Sequence, residues 1–509
     1  MRGRPWGARF FTSEHVRTYA GSMMIAKSLI GAAVFVITVD GGEVLDALAS
    51  PPSASPQVGA GSVPEPAADP VLASLALVDG GLTADEVAAR AVSEGPSVEE
   101  ARAQLEAAAA QLDQVRRSFT PALGLEASVA RLSPVENGIP LDGATMGALD
   151  DFSFDVPLEQ YALKATLGVP VSDWVLRLLP GLKAGKAGKR SAAHRETAAR
   201  RVVATDGKVA YYGWLRARAQ VAVAEASLVR SRARLKDAEV GVKAGMMSPS
   251  DVLRVDALVA RTEAALEGAR AVERVARRSL AILMNVDLDT TFEVGEAVMT
   301  DPTDGAETQD LETMVANGLA QRPELLAVDA AIDEVQASTR AQRAAYYPRL
   351  AAFGEALYAN PNTRFFPLTD EWNGSWAVGG SISWSLDVAV VNASRVRALK
   401  AQRARVDAQQ EQLRRAVTAE VVRAYEELTR TLASLDANER GRVSAAEGYR
   451  VVSVRFSNGT ATTTDVINAE FDQVNATLAL VNNHLDLLEA RARLAFAAGA
   501  PIEGADGGN

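Results

Sequence analysis

The side chains that most often carry catalysis are scarce in this chain. Three histidines, His15, His194 and His484, stand far apart, without the paired spacing that a metal site or a catalytic triad requires. Cysteine is absent, which removes disulfides, thiolate ligands, sulfur nucleophiles and an N-terminal lipid on cysteine. No phosphate loop is found, so the expectation is a non-enzyme with no cofactor and no metal. Two aspartates are placed alike instead. Asp251 follows Gly245, and Asp465 follows Gly459, at the same spacing (251 − 245 = 465 − 459 = 6), and a valine comes next in both cases. Glycine supplies a turn where another side chain would be strained, and aspartate is a preferred helix cap. Each aspartate therefore has two readings, a cap on a returning helix or a charge kept for function. The other clusters are basic. Lys183, Lys186, Lys189, Arg190, Arg195, Arg200 and Arg201 form one, and Arg395, Arg397, Lys400, Arg403 and Arg405 form a second.

Those groups must be held by a long architecture. The chain has 509 residues, beyond what one compact core needs, and its alanine, arginine and glutamate content leans towards long helices. A net charge of −11 argues against a nucleic-acid partner, because phosphate binding needs clustered surplus cations. Near the start, Lys27 precedes the apolar run Ser28 to Val39, and Ala47-Leu48-Ala49 offers a small-residue cleavage site. Residues 1–49 are read as a signal peptide, which a start at Met23 or Met24 would make conventional. Residues 50–80, rich in proline, alanine and serine, read as a disordered linker outside the fold.

The remaining sequence is written twice. Pro96 and Pro121 reappear as Pro323 and Pro348 (323 − 96 = 348 − 121 = 227). Tyr211, Gly245, Asp251-Val252 and Leu280-Ala281 reappear as Tyr425, Gly459, Asp465-Val466 and Leu494-Ala495 (465 − 251 = 214). A constant shift over such a stretch indicates tandem duplication. The expected division is a first repeat over 81–287, an equatorial connection over 288–306, a second repeat over 307–501, and a disordered tail over 502–509.

Each copy opens with a helix. One is expected over 83–118, where Thr83 and Glu86 make a capping-box pattern, and one over 307–345. Strands follow at 121–131 and 161–171 in the first copy, and at 348–358 and 375–386 in the second. Leu123, Leu125, Ala127 and Val129 alternate with small or polar residues, as do Trp376, Val378, Ile382, Trp384 and Leu386. The 348–358 strand is less regular, with Phe353 and Glu355 on one face. Matching the apolar faces of the second strands needs a shift of 386 − 171 = 215, so one residue slips between strand and helix. Proline-free helices are expected over 183–244 and 389–457, each on the order of 90 to 100 Å long. In the second, Leu413, Val417, Val421, Ala424, Leu428, Leu432 and Leu435 keep an eleven-residue rhythm. On the return helix, Phe471, Val474, Leu478, Val481, Leu485 and Leu488 keep a heptad. Strands of about ten residues with one apolar face suit a transmembrane barrel, but four per chain close one only if several chains contribute.

The order of helix, strand pair, long helix, glycine turn, Asp-Val and return helix, given twice, resembles the outer membrane efflux protein (TolC) family over residues 83–501. Arg322-Pro323-Glu324-Leu325 with Pro348, the Gly245 to Asp251-Val252-Leu253 turn, the Gly459 to Asp465-Val466-Ile467 turn and the closing Leu-Ala pairs carry the likeness. The resemblance implies a mainly α protein with a small transmembrane β part. It implies a homotrimer in which each protomer gives four strands to a 12-stranded β-barrel in the outer membrane, continued by a periplasmic α-barrel. The function implied is the passive exit duct of a tripartite efflux pump or type I secretion system, working with a periplasmic membrane-fusion adaptor and an inner-membrane pump. The alternative is a periplasmic coiled-coil scaffold or adaptor without a membrane barrel. The segments 287–312 and beyond 495 would form a belt, and the loops 133–160 and 361–374 would face outside the cell. The resemblance also places Asp251, Asp465, Asn468 and Phe456 at the pore entrance, on tips turned by Gly245 and Gly459. Asp465 matches one position of an aspartate ring; Asn468 stands where a second acid is expected, Phe456 where an aromatic hydroxyl is expected, and Ala461 where a basic lock is expected. Those departures predict a constriction held by packing, with weaker cation selectivity. The basic clusters face two readings, contact with lipid phosphates at the inner rim of the membrane or a solvated helix face.

Overall fold

The computed structural model describes residues 70–133, 157–245, 247–299, 310–366 and 368–502. The expected signal peptide, the linker up to residue 69, residues 134–156 of the outer loop and residues 503–509 of the tail lie outside them. Ten α-helices and four strands are assigned among the described residues.

The first helix of each copy is broken where one continuous helix was expected. In the first copy α2 (Ala84–Glu94) gives way to α3 (Pro96–Arg117), and in the second α7 (Leu311–Gln321) gives way to α8 (Pro323–Arg343). Proline excludes the residue before it from helical backbone, and Gly95 (φ −69°, ψ 117°) and Arg322 (φ −64°, ψ 120°) are extended accordingly. The proline then serves as the first residue of the next helix. Thr83 does form a capping box with Glu86. At the second break the Arg322 guanidinium donates to Glu420 at 2.8 Å and to Glu324 at 3.0 Å, and lies 4.4 Å from the centre of the Phe496 ring.

Strands β1 (Ala122–Arg131), β2 (Glu159–Val169), β3 (Arg349–Asn360) and β4 (Asn373–Ser383) form one antiparallel sheet in sequence order. The two copies meet at the β2–β3 pair, where Leu163 faces Tyr358 and Leu167 faces Gly354. Register places Leu350, Ala352, Gly354, Ala356 and Tyr358 on the apolar face. Phe353 and Glu355, the irregularity in that strand, belong to the opposite face. There Phe353 lies between Gly168 and Gly379, and a Cβ added at Gly379 would stand 2.9 Å from the ring.

Between β2 and α5 (Leu179–Lys243) the chain runs through the short α4 (Val171–Asp173) and a π-turn, Trp174–Leu178. A π-turn holds one residue more than an α-turn. This is the residue by which the shift falls from 215 to 214. α6 (Pro249–Leu283) returns from α5, and α10 (Thr463–Ala497) returns from α9 (Leu386–Ser457). At 65 and 72 residues, α5 and α9 each span about 100 Å.

α10 joins the copies through two apolar faces. Val474, Leu478, Val481, Leu485 and Leu488 pack with Tyr211, Trp214 and Leu215 of α5, while Leu487, Ala490 and Leu494 pack with Leu428 of α9. The expected heptad is therefore mostly a seam with α5. Phe471, its first member, is instead 64% exposed.

The main core lies where α5, α6 and α10 meet α1 (Pro70–Ser74) and the segment carrying Val294 and Val298. The linker reading of 50–80 fails at its end. Val71 and Leu75 are buried in that core, Val78 N donates to the Val294 oxygen at 2.8 Å, and Arg218 Nε donates to the Ser74 oxygen at 2.9 Å. Proline and alanine content hid two apolar anchors, which need only one turn of helix to reach the core. Ile502, assigned to the tail, is likewise buried with Ala88, Val92 and Ala204.

Candidate functional site

Two places concentrate features that a compact core would not need: the helical tips and the exposed face of the sheet. At the second tip the last turn of α9 closes on Gly459 (φ +69°). Gly459 N donates to the Phe456 oxygen at 2.9 Å and Thr460 N to the Arg455 oxygen at 2.8 Å. This hydrogen-bond pair terminates a helix through a left-handed residue, which glycine adopts without a Cβ clash. The first tip turns at Gly245 (φ +75°) with Gly245 N on the Val242 oxygen at 3.0 Å. The equivalent far ends of α6 and α10 turn at Asn285 and Gly499, also at positive φ.

Both aspartates cap the returning helix. Asp251 accepts from Ser248 N at 3.2 Å and pairs with Arg254 at 3.2 Å. Asp465 Oδ2 accepts from Thr462 N at 2.7 Å and from the Thr462 hydroxyl at 2.8 Å, while Thr462 Oγ1 accepts from Asp465 N. The backbone and hydroxyl bonds from Thr462, with the Arg455 charge nearby, hold the Asp465 carboxyl below the ordinary aspartate range. Asp465 Oδ1 makes no hydrogen bond among the described residues, so the cap leaves one oxygen for solvent.

The tips share a cleft of about 940 Å³ lined by Asp251 and Arg254 from one side and Phe456 and Gly459 from the other. Phe456 and Asp251 are thus brought together. Asp465 and Asn468, three residues apart, lie on an exposed face of α10, turned away from the buried Val466 and Glu470. An ionic clasp, absent from the sequence reading, closes this end. Glu470, 6% exposed, takes Arg230 Nε at 2.6 Å and is paired with Arg234 as well, fastening α10 of the second copy to α5 of the first. Its only mark in sequence is a carboxylate one turn after Val466 on a buried helix face.

The sheet carries the second feature. On its apolar face Leu123, Leu125, Val129, Trp376, Val378 and Ile382 are all between 69% and 80% exposed. Opposite them lie Glu126, Thr166, Ser381 and the Lys164–Glu355 pair at 2.8 Å. Tyr161, Tyr358 and Trp372 gather at the loop end, the latter two stacked with centroids 5.1 Å apart. Among the described residues no helix is long and apolar enough to cross a membrane, and no group of histidine, aspartate and glutamate could hold a metal ion.

No curated protein matched the chain. Solved outer-membrane channels do share its fold. OprN is 20% identical with a TM-score of 0.69, over 89% of this chain and 99% of that one. VceC of Vibrio cholerae is 19% identical with a TM-score of 0.68, over 82% of this chain and 97% of that one. The open state of MtrE of Neisseria gonorrhoeae is 18% identical with a TM-score of 0.66, over 82% and 89%. The sequence itself matches the profile named outer membrane efflux protein over residues 87–286 and 315–500, one stretch for each copy. The chain belongs to the outer membrane efflux protein family, and the outer membrane is its place of work.

Proposed function

We propose that three copies close their sheets into one 12-stranded barrel through the outer membrane, and that the helices continue it as a periplasmic conduit. The observation that carries this reading is the exposed apolar face of a sheet whose β1 and β4 edges are both unpaired among the described residues. Lipid tolerates neither a free sheet edge nor an unsatisfied backbone, so closure with further copies answers both. Along α6, Val272, Val275 and Ile282 are exposed at helical spacing and offer a seam to a neighbouring copy.

The conduit is passive and not an enzyme. Cargo is delivered by an inner-membrane pump through a periplasmic adaptor, and the tips carrying Gly245 and Gly459 form the entrance that the adaptor meets. Asp465 and Asn468 line the narrowing, Asp251 and Phe456 the cleft behind it, and the Glu470 clasp holds the two copies together just above. Purified protein added to a planar lipid bilayer should give discrete conductance steps. A preparation that inserts and never conducts would rule the conduit out.

A further inference from the structure

We infer that the groove between α3, α5 and α8, just beneath the sheet, is a headgroup site for an anionic phospholipid of the adjoining membrane leaflet. The inference rests on the reading that the sheet lies in the outer membrane. The groove has a volume of about 670 Å³, within the usual range for small-ligand sites. Arg116, Lys183, Lys186, Lys189, Arg190 and Arg340 line it, against Asp333 as the one carboxylate of the lining. Asp333 is engaged by Arg190 at 3.1 Å, and Arg116 by Asp113 at 2.9 Å. Among the described residues Lys183, Lys186, Lys189 and Arg340 make no ion pair. Leu112, Ala187 and Ala337 form a buried apolar floor. A cationic rim over such a floor suits a phosphodiester with its glycerol backbone.

The direction in which the groove opens follows from helix geometry. Eighteen residues make five turns, so residues that far apart share a side of α5. Lys186, Lys189, Arg190 and Ala193 therefore stand above Ala204, Gly207, Lys208 and Tyr211. These are the residues on which α2 and the Leu82 segment before it are laid. Ala204 packs with Ala88, a Cβ at Gly207 would be 3.2 Å from Ala88 Cα, Lys208 pairs with Asp85 at 2.5 Å, and Tyr211 donates to the Leu82 oxygen at 2.7 Å. The groove thus opens on the side of α5 that carries α2 and the Leu82 segment, which in the proposed tube is the side away from the lumen.

Its height follows from the apolar residues above it. Val171, Val175 and Leu179, 46%, 63% and 46% exposed, descend from β2 in steps of four, and Lys183 is the next step. α9 repeats the change, with Val390 and Val391 exposed and then Arg395 and Arg397. On α8 Arg340 precedes the exposed Tyr347. A face that passes from apolar to basic within two turns follows the passage from acyl chain to headgroup, and a lysine stem reaches across the difference. Since α3, α5 and α8 come from one protomer, the site is complete without a second copy.

The test uses the full chain in neutral detergent with dioctanoyl-phosphatidylglycerol as probe, followed by native mass spectrometry. Phosphatidylglycerol should bind in clear preference to dioctanoyl-phosphatidylcholine, and K183Q/K186Q/R340Q should weaken it by about tenfold or more. Lys243→Gln, at the far end of α5, should change nothing. Equal binding of the two lipids, unchanged binding in the triple variant, or displacement by millimolar inorganic phosphate would overturn the lipid site. The same samples run on gels with and without heating report the barrel separately. Heat-modifiable protein without lipid preference removes only this site, whereas loss of heat modification in the wild type removes the channel reading beneath it.

Discussion

Glu470 sits on a buried face of α10, between Val466 and Thr477, where an apolar residue would ordinarily pack. Its cost is offset by Arg230 and Arg234, and removing it leaves the largely buried Arg234 and the part-exposed Arg230 without their carboxylate. Glu470→Ala should therefore destabilise the protein by about 3–5 kcal/mol, read as a fall in melting temperature, while an isosteric Glu470→Gln should cost less. A variant as stable as wild type would show the clasp to be decorative. Asp465 makes a different prediction, because its carboxyl is held below the ordinary value of 3.8. A depressed aspartate stabilises the fold fully above that ordinary value and ceases to do so as pH falls through the lower, folded one. Melting curves of wild type and Asp465→Asn should accordingly differ near neutrality and converge in acid. Asp465→Ala should also reduce cation preference in single-channel recordings; identical selectivity would take Asp465 out of the constriction. Glu296 behaves oppositely. Burial pushes its carboxyl up, against hydrogen bonds from Ala84 N and Tyr212, so its ionisation weakens the core beside α2 as pH rises. Glu296→Gln should flatten that loss in a pH series of melting curves.

At the scale of elements, the strands and tips were legible because each repeats a short rule. Alternation gave the strands, and glycine followed by aspartate six residues on gave the turns. The one-residue mismatch between the copies proved to be the π-turn at Trp174–Leu178. Less legible was whatever depends on a partner far away in sequence. The Arg230–Glu470 contact spans 240 residues, and the burial of Val71 and Leu75 depends on a cavity left by α5 and the Val294 segment. Heptad spacing on α10 announced a seam without saying whether α9 or α5 filled it. The helix breaks at Pro96 and Pro323 were readable from proline chemistry, and the continuous helix was the wrong inference from a continuous amphipathic pattern. The sheet faces yield a paired prediction. Val378→Arg, on the apolar face, should cost about 2–4 kcal/mol if that face meets lipid, whereas Ser381→Arg on the other face should be tolerated. Yield of heat-modifiable protein in the membrane fraction compares them, and equal yields would place the apolar face elsewhere.

For the whole molecule, duplication explains the economy of the design. Two copies of one plan supply two strand pairs to one sheet and two long hairpins of helix beneath it, with α10 and the clasp at Glu470 fastening the second copy to the first. Among the described residues the chain on its own leaves oily strands bare and two sheet edges open, and the proposed ring set in lipid would cover both. The particle mass of the protein extracted from outer membranes in detergent, measured by light scattering with the detergent contribution subtracted, tests that claim most directly. Three chains per particle is the predicted result. A particle of one chain that stays dispersed after the detergent is removed would contradict it.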